Sequence, residues 1–503
     1  MRLTTNKTKN GISYYIIRSV RRDGKRSSEV VERLGTEREI MEKYHCTDAN
    51  KWAKAHLDEL NQAEAEKQHK VLVPLRTDIL IPFDKQNSYN VGYLFLQKIY
   101  YDLRLPNICR KISKEYSFSY DLDSILSRLV YERILNPSSK LSCYEQSSDL
   151  LEPPAFELHQ IYRALSVIAN ESDSIQAELY EASRRLVKRQ TGVLYYDCTN
   201  YFFETECQEG LKQYGPSKEH RPSPIVEMGL FIDRSGIPLA FCIHPGNTNE
   251  QTTLIPLEEQ ILRDFSLSKF IVCTDAGLSS ERNRKFNNFG GRCFITTQSI
   301  KKLKKDLRQW CLEPTGWHLK DSLDTYDISR LEDTAKNRSK LFYKQLYVEG
   351  NDGKRDIDFD QTLIVTYSLK YRNYQQQIRN QQILRAIKAI DTEPKRIDKH
   401  SQNDYRRFIK KTSITAYGEC AANKIYEIDQ DAVQEEAQYD GFYAVYTNLD
   451  DDPSEIAAVN QGRWEIEESF RIMKSEFEAR PVYLKRDDRI KAHFTTCFIA
   501  LLI

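Results

Sequence analysis

The apolar positions of this chain switch between strand-like runs and helical spacing, and the switches mark its parts. Residues 13–20 and 26–33 read as two strands joined around Asp23-Gly24, a pair that tolerates positive φ and so suits a hairpin turn. A charged helical segment follows over residues 48–70. From residue 89 to 189 apolar side chains recur every three or four residues, most plainly in 91–99 and 122–134, while Pro137, Pro153 and Pro154 punctuate the run. That spacing predicts a helical bundle.

At Val193 the period changes. Residues 193–197, 225–233 and 237–243 predict three strands, the last two separated by Arg234-Ser235-Gly236 at hairpin spacing. Residues 249–265 predict a helix, 269–275 an apolar strand ending in Asp275, 276–280 the turn into another helix, and 292–296 a fifth strand. After Ile300 the run Lys301-Lys302-Leu303-Lys304-Lys305 opens a mixed region with strand-like stretches at 341–348, 362–369, 424–428 and 442–446 and a basic helical one at 371–390. It reads as an insertion ahead of a final helix. The expected parts are therefore a basic hairpin plus helix (1–75), a helical domain (85–190), the first part of an α/β core (191–300), a β-rich insertion (301–450) and a C-terminal core helix (451–503). The apolar ending at 498–503 predicts a helix docked on the core or a truncated one.

Residues 460–474 predict one helix. At about 100° per residue Ile466, Phe470, Met473 and Phe477 fall on one arc, and Arg463, Glu467, Arg471 and Lys474 on the arc beside it, away from Glu465 and Glu468. Glu467 is thus singled out as a carboxylate flanked by three cations. A solvated face laced with Arg463–Glu467 and Glu467–Arg471 pairs, each worth only ~0.2–0.5 kcal/mol, accounts for the same stretch.

Composition narrows the class. A chain of 503 residues exceeds what one hydrophobic core organises, and 40% hydrophobic residues with a mean hydropathy of -0.62 describe a folded, multidomain, water-soluble protein. No apolar run reaches the ~18–20 residues of a membrane span, and the basic N-terminus lacks an apolar signal region, so a cytoplasmic location is expected. The 11 cysteines show no C-x-x-C pair, which argues against a zinc module or a disulfide framework. A net charge of +1 argues against a uniformly basic coat, but residues 1–26 carry eight Lys or Arg against one acid, and 370–411 carry twelve against four. Local basic surfaces on a neutral chain suit a polyanion, and Arg21 and Arg22 make the hairpin a candidate DNA-contacting arm or an ordinary solvated hairpin.

Asp197 lies in the first strand of the core and Asp275 ends the fourth. A mixed sheet that sets those strands side by side brings the two carboxylates together, and Glu467 can approach from a helix on the same sheet edge. Singly, an Asp at a strand end is as readily a cap or turn residue. Three hard oxygen ligands without Cys or His fit Mg²⁺ or Mn²⁺, and a pair of such ions ~3.5–4 Å apart serves phosphodiester displacement. Arg463 and Lys474 are candidates to hold phosphates, or else partners of Glu467 and Glu478.

Asp197 in Tyr-Tyr-Asp-Cys-Thr-Asn, Asp275 in Cys-Thr-Asp-Ala-Gly-Leu and Glu467 in Arg-Trp-Glu-Ile-Glu resemble the acidic triad of DDE-type bacterial insertion-sequence transposases. One branch carries Tyr-x2-Arg-x3-Glu-x6-Lys, and Arg463, Glu467 and Lys474 match its spacing, with Asn460 at the tyrosine position as a departure. Residues 215–221, 245–248 and 439–442 are similar to the family as well, and the resemblance runs over about 89–503.

The resemblance implies a ribonuclease-H-like α/β catalytic core with a β-rich insertion, preceded by a helical domain and an N-terminal β-hairpin. It further implies Asp197, Asp275 and Glu467 as catalytic ligands of two Mg²⁺ (or Mn²⁺) ions, and Arg463, Lys474, Arg471, Lys218, Arg221, Arg21 and Arg22 as DNA contacts. Cleavage of mobile-element ends, release through a DNA hairpin, strand transfer to target DNA and a homodimer on double-stranded DNA, with no membrane partner, follow from the same likeness. A catalytically inactive transposase-derived DNA-binding protein and a structure-specific nuclease are the alternatives.

Overall fold

The computed structural model describes residues 1–8, 11–22, 25–67, 78, 80, 83, 88–152, 154–350, 359–392, 404–414 and 420–503. The predicted turn at Asp23-Gly24 lies outside these, as do the side chains of Arg21 and Arg22. The chain divides into two compact units, the first made of residues 1–136 and 140–161, the second of 137–139 and 162–502.

In the first unit β1 (Arg2–Thr8), β2 (Gly11–Arg22) and β3 (Lys25–Thr36) form an antiparallel sheet. The first of these strands is absent from the sequence reading, because Arg2–Thr8 carries a single large apolar side chain, Leu3. Tyr14, Ile16 and Leu34 pack on Ile40, Ala49 and Ala53 of the helices Glu37–Tyr44 and Ala49–Lys67. Thr36 starts the former with a reciprocal capping box to Glu39. Four further helices follow, Tyr93–Asp102, Leu105–Glu115, Leu122–Leu135 and Lys140–Gln146.

The second unit is a mixed α/β body around one large mixed sheet. Its strands are β4 (Val193–Phe202), β5 (Ile225–Asp233), β6 (Pro238–Pro245), β7 (Ile271–Thr274), β8 (Cys293–Gln298), β9 (Phe342–Gly350), β10 (Phe359–Tyr367) and β13 (Phe442–Thr447), in the order β6-β5-β4-β7-β8-β13-β10-β9. A separate ladder joins β11 (Ile409–Ile414) to β12 (Cys420–Ile428). Pairing is antiparallel except at β4–β7 and β7–β8, which are parallel and reached through the helix Leu254–Asp264 and the short helix Glu281–Phe286.

Central strands covered on both faces read as near-continuous apolar runs, and β5 is buried throughout. In β4 every position is buried except Asp197. One face of β4 lays Tyr196 and Cys198 into a core with Phe231, Leu254, Leu257, Ile261 and Phe265. On the other, Tyr201 meets Phe494 of the last helix (Asp487–Leu502) at 4.8 Å between ring centroids, and Phe498 of that helix meets Phe241 at 5.1 Å. The apolar ending is therefore docked on the sheet.

The single helix expected over 460–474 is interrupted. Asn460 belongs to the helix Pro453–Gln461, Gly462 closes it, and a second helix, Trp464–Arg471, runs into a wider turn at Ile472–Glu476. At the break the Arg463 amide bonds the Asn460 carbonyl, not that of Val459 as a continuous helix would require. The Tyr195 hydroxyl donates to the Val459 carbonyl at 2.9 Å, and a Cβ at position 462 would stand 2.2 Å from that hydroxyl, so only glycine passes there. Beyond the break Ile466, Phe470, Met473 and Phe477 are buried as their spacing predicts.

Candidate active site

The site is built on β4 and β7. Their parallel register sets Tyr196 against Thr274, so the next residues, Asp197 and Asp275, are neighbours at adjacent strands. Asp197 Oδ1 accepts from the Cys198 amide at 2.7 Å. Asp275 Oδ1 accepts from the amides of Gly277 (2.7 Å) and Leu278 (3.2 Å), which pins its carboxylate to the turn that follows and leaves Oδ2 to face elsewhere.

Burial, opposed by Lys218 and reinforced by the charge of Asp275, pushes the Asp197 carboxyl up to about 6. Arg463 also acts on Asp197, in the direction that keeps it ionised. Two half-buried carboxylates with cations drawn to them make a site for positive charge.

Lys474 crosses to the same strand. Its Nζ donates to Thr199 Oγ1 at 2.6 Å, and burial together with the charge of Lys218 pulls its amine down to about 8. Lys218 lies on the loop between β4 and β5, its Nζ bonded to the Cys198 carbonyl and paired at 3.0 Å with Glu250. That loop is seated by glycine. A Cβ on Gly215 would fall 1.9 Å from the Gly246 carbonyl, and one on Gly246 would fall 2.2 Å from the Ile225 carbonyl. Backbone-to-backbone packing therefore accounts for the glycines in the stretches 215–221 and 245–248. Arg221 stacks its guanidinium over Phe202 at 4.0 Å.

Glu467 is exposed and makes no hydrogen bond or ion pair among the described residues. The expected pairs with Arg463 and Arg471 are not formed. Arg471 is turned outward, bonded to both carboxylate oxygens of Glu468 (2.8 and 2.7 Å) and to Glu476 (3.0 Å), while Arg463 Nη1 is buried without a partner. Glu467 lines a cleft of about 520 Å³ together with Arg463, Trp464, Lys370, Tyr371 and Tyr374. Arg463 and Lys474, on the same helical stripe as Glu467, are both electrostatically coupled to Asp197. Among the described residues no group of three or more His, Cys, Asp or Glu side chains is assembled at metal-binding range. The donors present are nonetheless all hard oxygens, as Mg²⁺ or Mn²⁺ requires.

Asn460 lies in the wall of the same cleft, its side chain engaged by neighbours. It is 3% exposed, its Nδ2 donates to the Tyr443 hydroxyl at 2.8 Å, and its Oδ1 accepts from Cys273 Sγ at 3.2 Å. It ties the helix Pro453–Gln461 to β7 and β13.

Thr199, Glu227 and Glu250 escaped the sequence reading. Glu227 is 3% exposed in β5 and pushed up to about 8 by burial and by Glu250. Two signals were available. Thr199 stands two residues from Asp197, hence on the same face of the strand, and Glu227 is an acid in the interior of the apolar run that ends at Asp233.

A family model described as a transposase DDE domain matches residues 207–503, a span that β4 and Asp197 precede. The chain is similar, at 10% identity and a TM-score of 0.33, to a chain in the cryo-EM structure of a piggyBac transposase synaptic complex with hairpin DNA, with 78% of this chain and 70% of that one covered. No curated protein matches it. Among the described residues no helix is long and apolar enough to cross a membrane.

Proposed function

The chain belongs to the transposase DDE domain family, and from that premise we propose that it is a DNA transposase of the insertion-sequence type, cutting mobile-element ends and joining them to target DNA. The observation that carries this reading is the parallel register of β4 and β7, which makes Asp197 and Asp275 neighbours. The order β6-β5-β4-β7-β8, with β5 antiparallel to its neighbours, supports a ribonuclease-H-like arrangement for the first part of the sheet, into which β9, β10 and β13 are added.

In this reading Asp197, Asp275 and Glu467 hold two Mg²⁺ or Mn²⁺ ions. Such ions, when bound, turn a water or a 3′-hydroxyl into a nucleophile and stabilise the leaving oxygen of an in-line displacement. The chain's own residues orient the DNA. Lys474, anchored on Thr199, and Lys218, anchored on the Cys198 carbonyl, hold ammonium groups along the strand that carries Asp197, where phosphate oxygens would sit. Arg463 offers a guanidinium with one buried, unpartnered nitrogen from the Glu467 side. Arg471, held by two glutamates, contributes less, since a phosphate must first displace them. Arg221 would contact the DNA backbone beside Phe202, and Arg21 and Arg22 of the N-terminal strands are further DNA contacts in this reading. Two chains with two DNA ends form the working unit.

A nicking assay on DNA carrying the element ends tests the reading. Mg²⁺-dependent nicks at the ends, joined to a target plasmid and abolished by Asp197→Ala, are the expected outcome. Nicks that never join indicate a nuclease. DNA binding without any nick indicates a transposase-derived binding protein, the second reading, favoured by the unassembled third carboxylate.

A further inference from the structure

Behind the turn that carries Asp275 lies a chain of buried amides and one buried carboxyl that the proposed chemistry does not use. Asn283, 3% exposed, donates its Nδ2 at 3.0 Å to the carbonyl of Leu278, the residue whose amide binds Asp275 Oδ1. The same Nδ2 donates at 3.0 Å to the carbonyl of Gln251, in the turn Glu250–Thr252 whose Glu250 pairs with Lys218. One amide thus joins the Asp275 turn to the turn that holds Lys218 beside Asp197. Asn283 is held in its turn from behind. Asn287, 1% exposed, donates its Nδ2 to the Asn283 carbonyl (3.3 Å) and to Oε2 of Glu258 (3.0 Å), a side chain with no exposure at all.

We propose that Asn283, braced by Asn287 and Glu258, is a positioning residue that fixes the Asp275 carboxylate at its distance from Asp197, so that the affinity of the carboxylate pair for a divalent cation depends on it. The proposal rests on the reading of Asp197 and Asp275 as cation ligands. Its physical basis is the number of donors. Leu278 and Gln251 are carbonyls of two separate turns, and a single NH₂ group satisfies both. Replacing that group with an acceptor sets an oxygen against two carbonyl oxygens, and the turns must part. Partners behind metal ligands typically set affinity by about 10- to 100-fold.

The test is Mn²⁺ binding to the full-length protein without DNA, followed by loss of the free-ion signal in electron paramagnetic resonance, with thermal melting as the check on folding. Asn283→Asp keeps the shape and exchanges the NH₂ donors for a carboxyl oxygen, adding a buried acid; its half-saturating Mn²⁺ concentration should rise roughly 10- to 100-fold. Glu258→Gln, which keeps an acceptor for Asn287, should bind as the wild type does. In the nicking assay Asn283→Asp should recover most of its rate at saturating metal, a separation of metal affinity from turnover that general loosening does not produce. Should Asn283→Asp fail to fold, Asn287→Ser carries the same test. Wild-type Mn²⁺ binding by a folded Asn283→Asp protein, with binding lost in Asp275→Ala, overturns the proposal alone. Unchanged binding in Asp275→Ala overturns the ligand reading beneath it.

Discussion

The Nζ of Lys474 donates to Thr199 Oγ1 at 2.6 Å, so a cation from the region after the Glu467 helix is fastened to the strand that carries Asp197. Removing the charge should cost more than removing the anchor. Hydrogen bonds to charged groups contribute ~1.5–3 kcal/mol, so Lys474→Met should lower end cleavage roughly 10- to 150-fold, and Thr199→Val by less. If Lys474 binds a phosphate, the log–log salt slope of DNA affinity, about -0.9 per phosphate neutralised, should flatten by about 1 in Lys474→Met. Filter binding at several salt concentrations measures it, and an unchanged slope removes the phosphate contact.

Asp197→Asn, Asp275→Asn and Glu467→Gln preserve shape while removing charge. Each should cut Mg²⁺-dependent nicking by at least about a hundredfold, the loss seen when a transition-state charge stabiliser goes, and leave gel-shift affinity for end DNA unchanged. A Glu467→Gln protein that nicks normally would show that the third carboxylate is a different residue.

Glu258 is pushed up from its ordinary 4.5 to about 8, first by burial and then against the pull of the Asn287 hydrogen bond and Arg292, with Glu259 adding to the rise. Below pH 4.5 both folded and unfolded chains hold the proton and nothing is lost. Between pH 4.5 and about 8 the unfolded chain ionises while the folded one does not, so stability falls, by up to about 1.4 kcal/mol per pH unit. Urea denaturation across that window should show a shallower decline in Glu258→Gln than in the wild type. Parallel declines would mean that Glu258 is ionised in the fold.

Asn460 stands where the resemblance to the Tyr-Arg-Glu-Lys signature expects tyrosine, and its side chain is almost fully buried in the wall of the cleft. Asn460→Tyr must displace the Tyr443 hydroxyl and Cys273 from a site 3% exposed, and overpacking of this kind costs about 1–3 kcal/mol. A lowered melting temperature is expected. A protein that melts as the wild type does would indicate room for the larger ring.

The strands and helices of the second unit were legible because period and burial agree there. The run 225–233 is buried throughout, and the strand predicted over 269–275 forms as Ile271–Thr274 with Asp275 directly after it. The arc of Ile466, Phe470 and Met473 was equally legible, since apolar spacing reports the buried face directly. What failed was the assumption that Asn460 to Lys474 share one axis. The break falls beside Gly462, where the Tyr195 hydroxyl, far away in sequence, occupies the Val459 carbonyl, and no local pattern encodes such a contact. Charge partners failed for a related reason. Arg471 can meet Glu467 or Glu468 at four- or three-residue spacing, and geometry at the wide turn Ile472–Glu476 favours the latter together with Glu476. Thr199 and Asn283 are ordinary polar residues by sequence, and only the fold places them against a cation and two carbonyls.

Asp197 is the one position of β4 that is only half-buried. Under random mutagenesis the strand should therefore sort its own lesions. Most substitutions along it will reduce the yield of soluble protein, because they disturb packing on one face or the other. On the proposed reading, substitutions at Asp197 should leave yield largely intact and abolish DNA rearrangement. A screen that scores abundance and DNA rearrangement separately would set this residue apart from every neighbour on its strand.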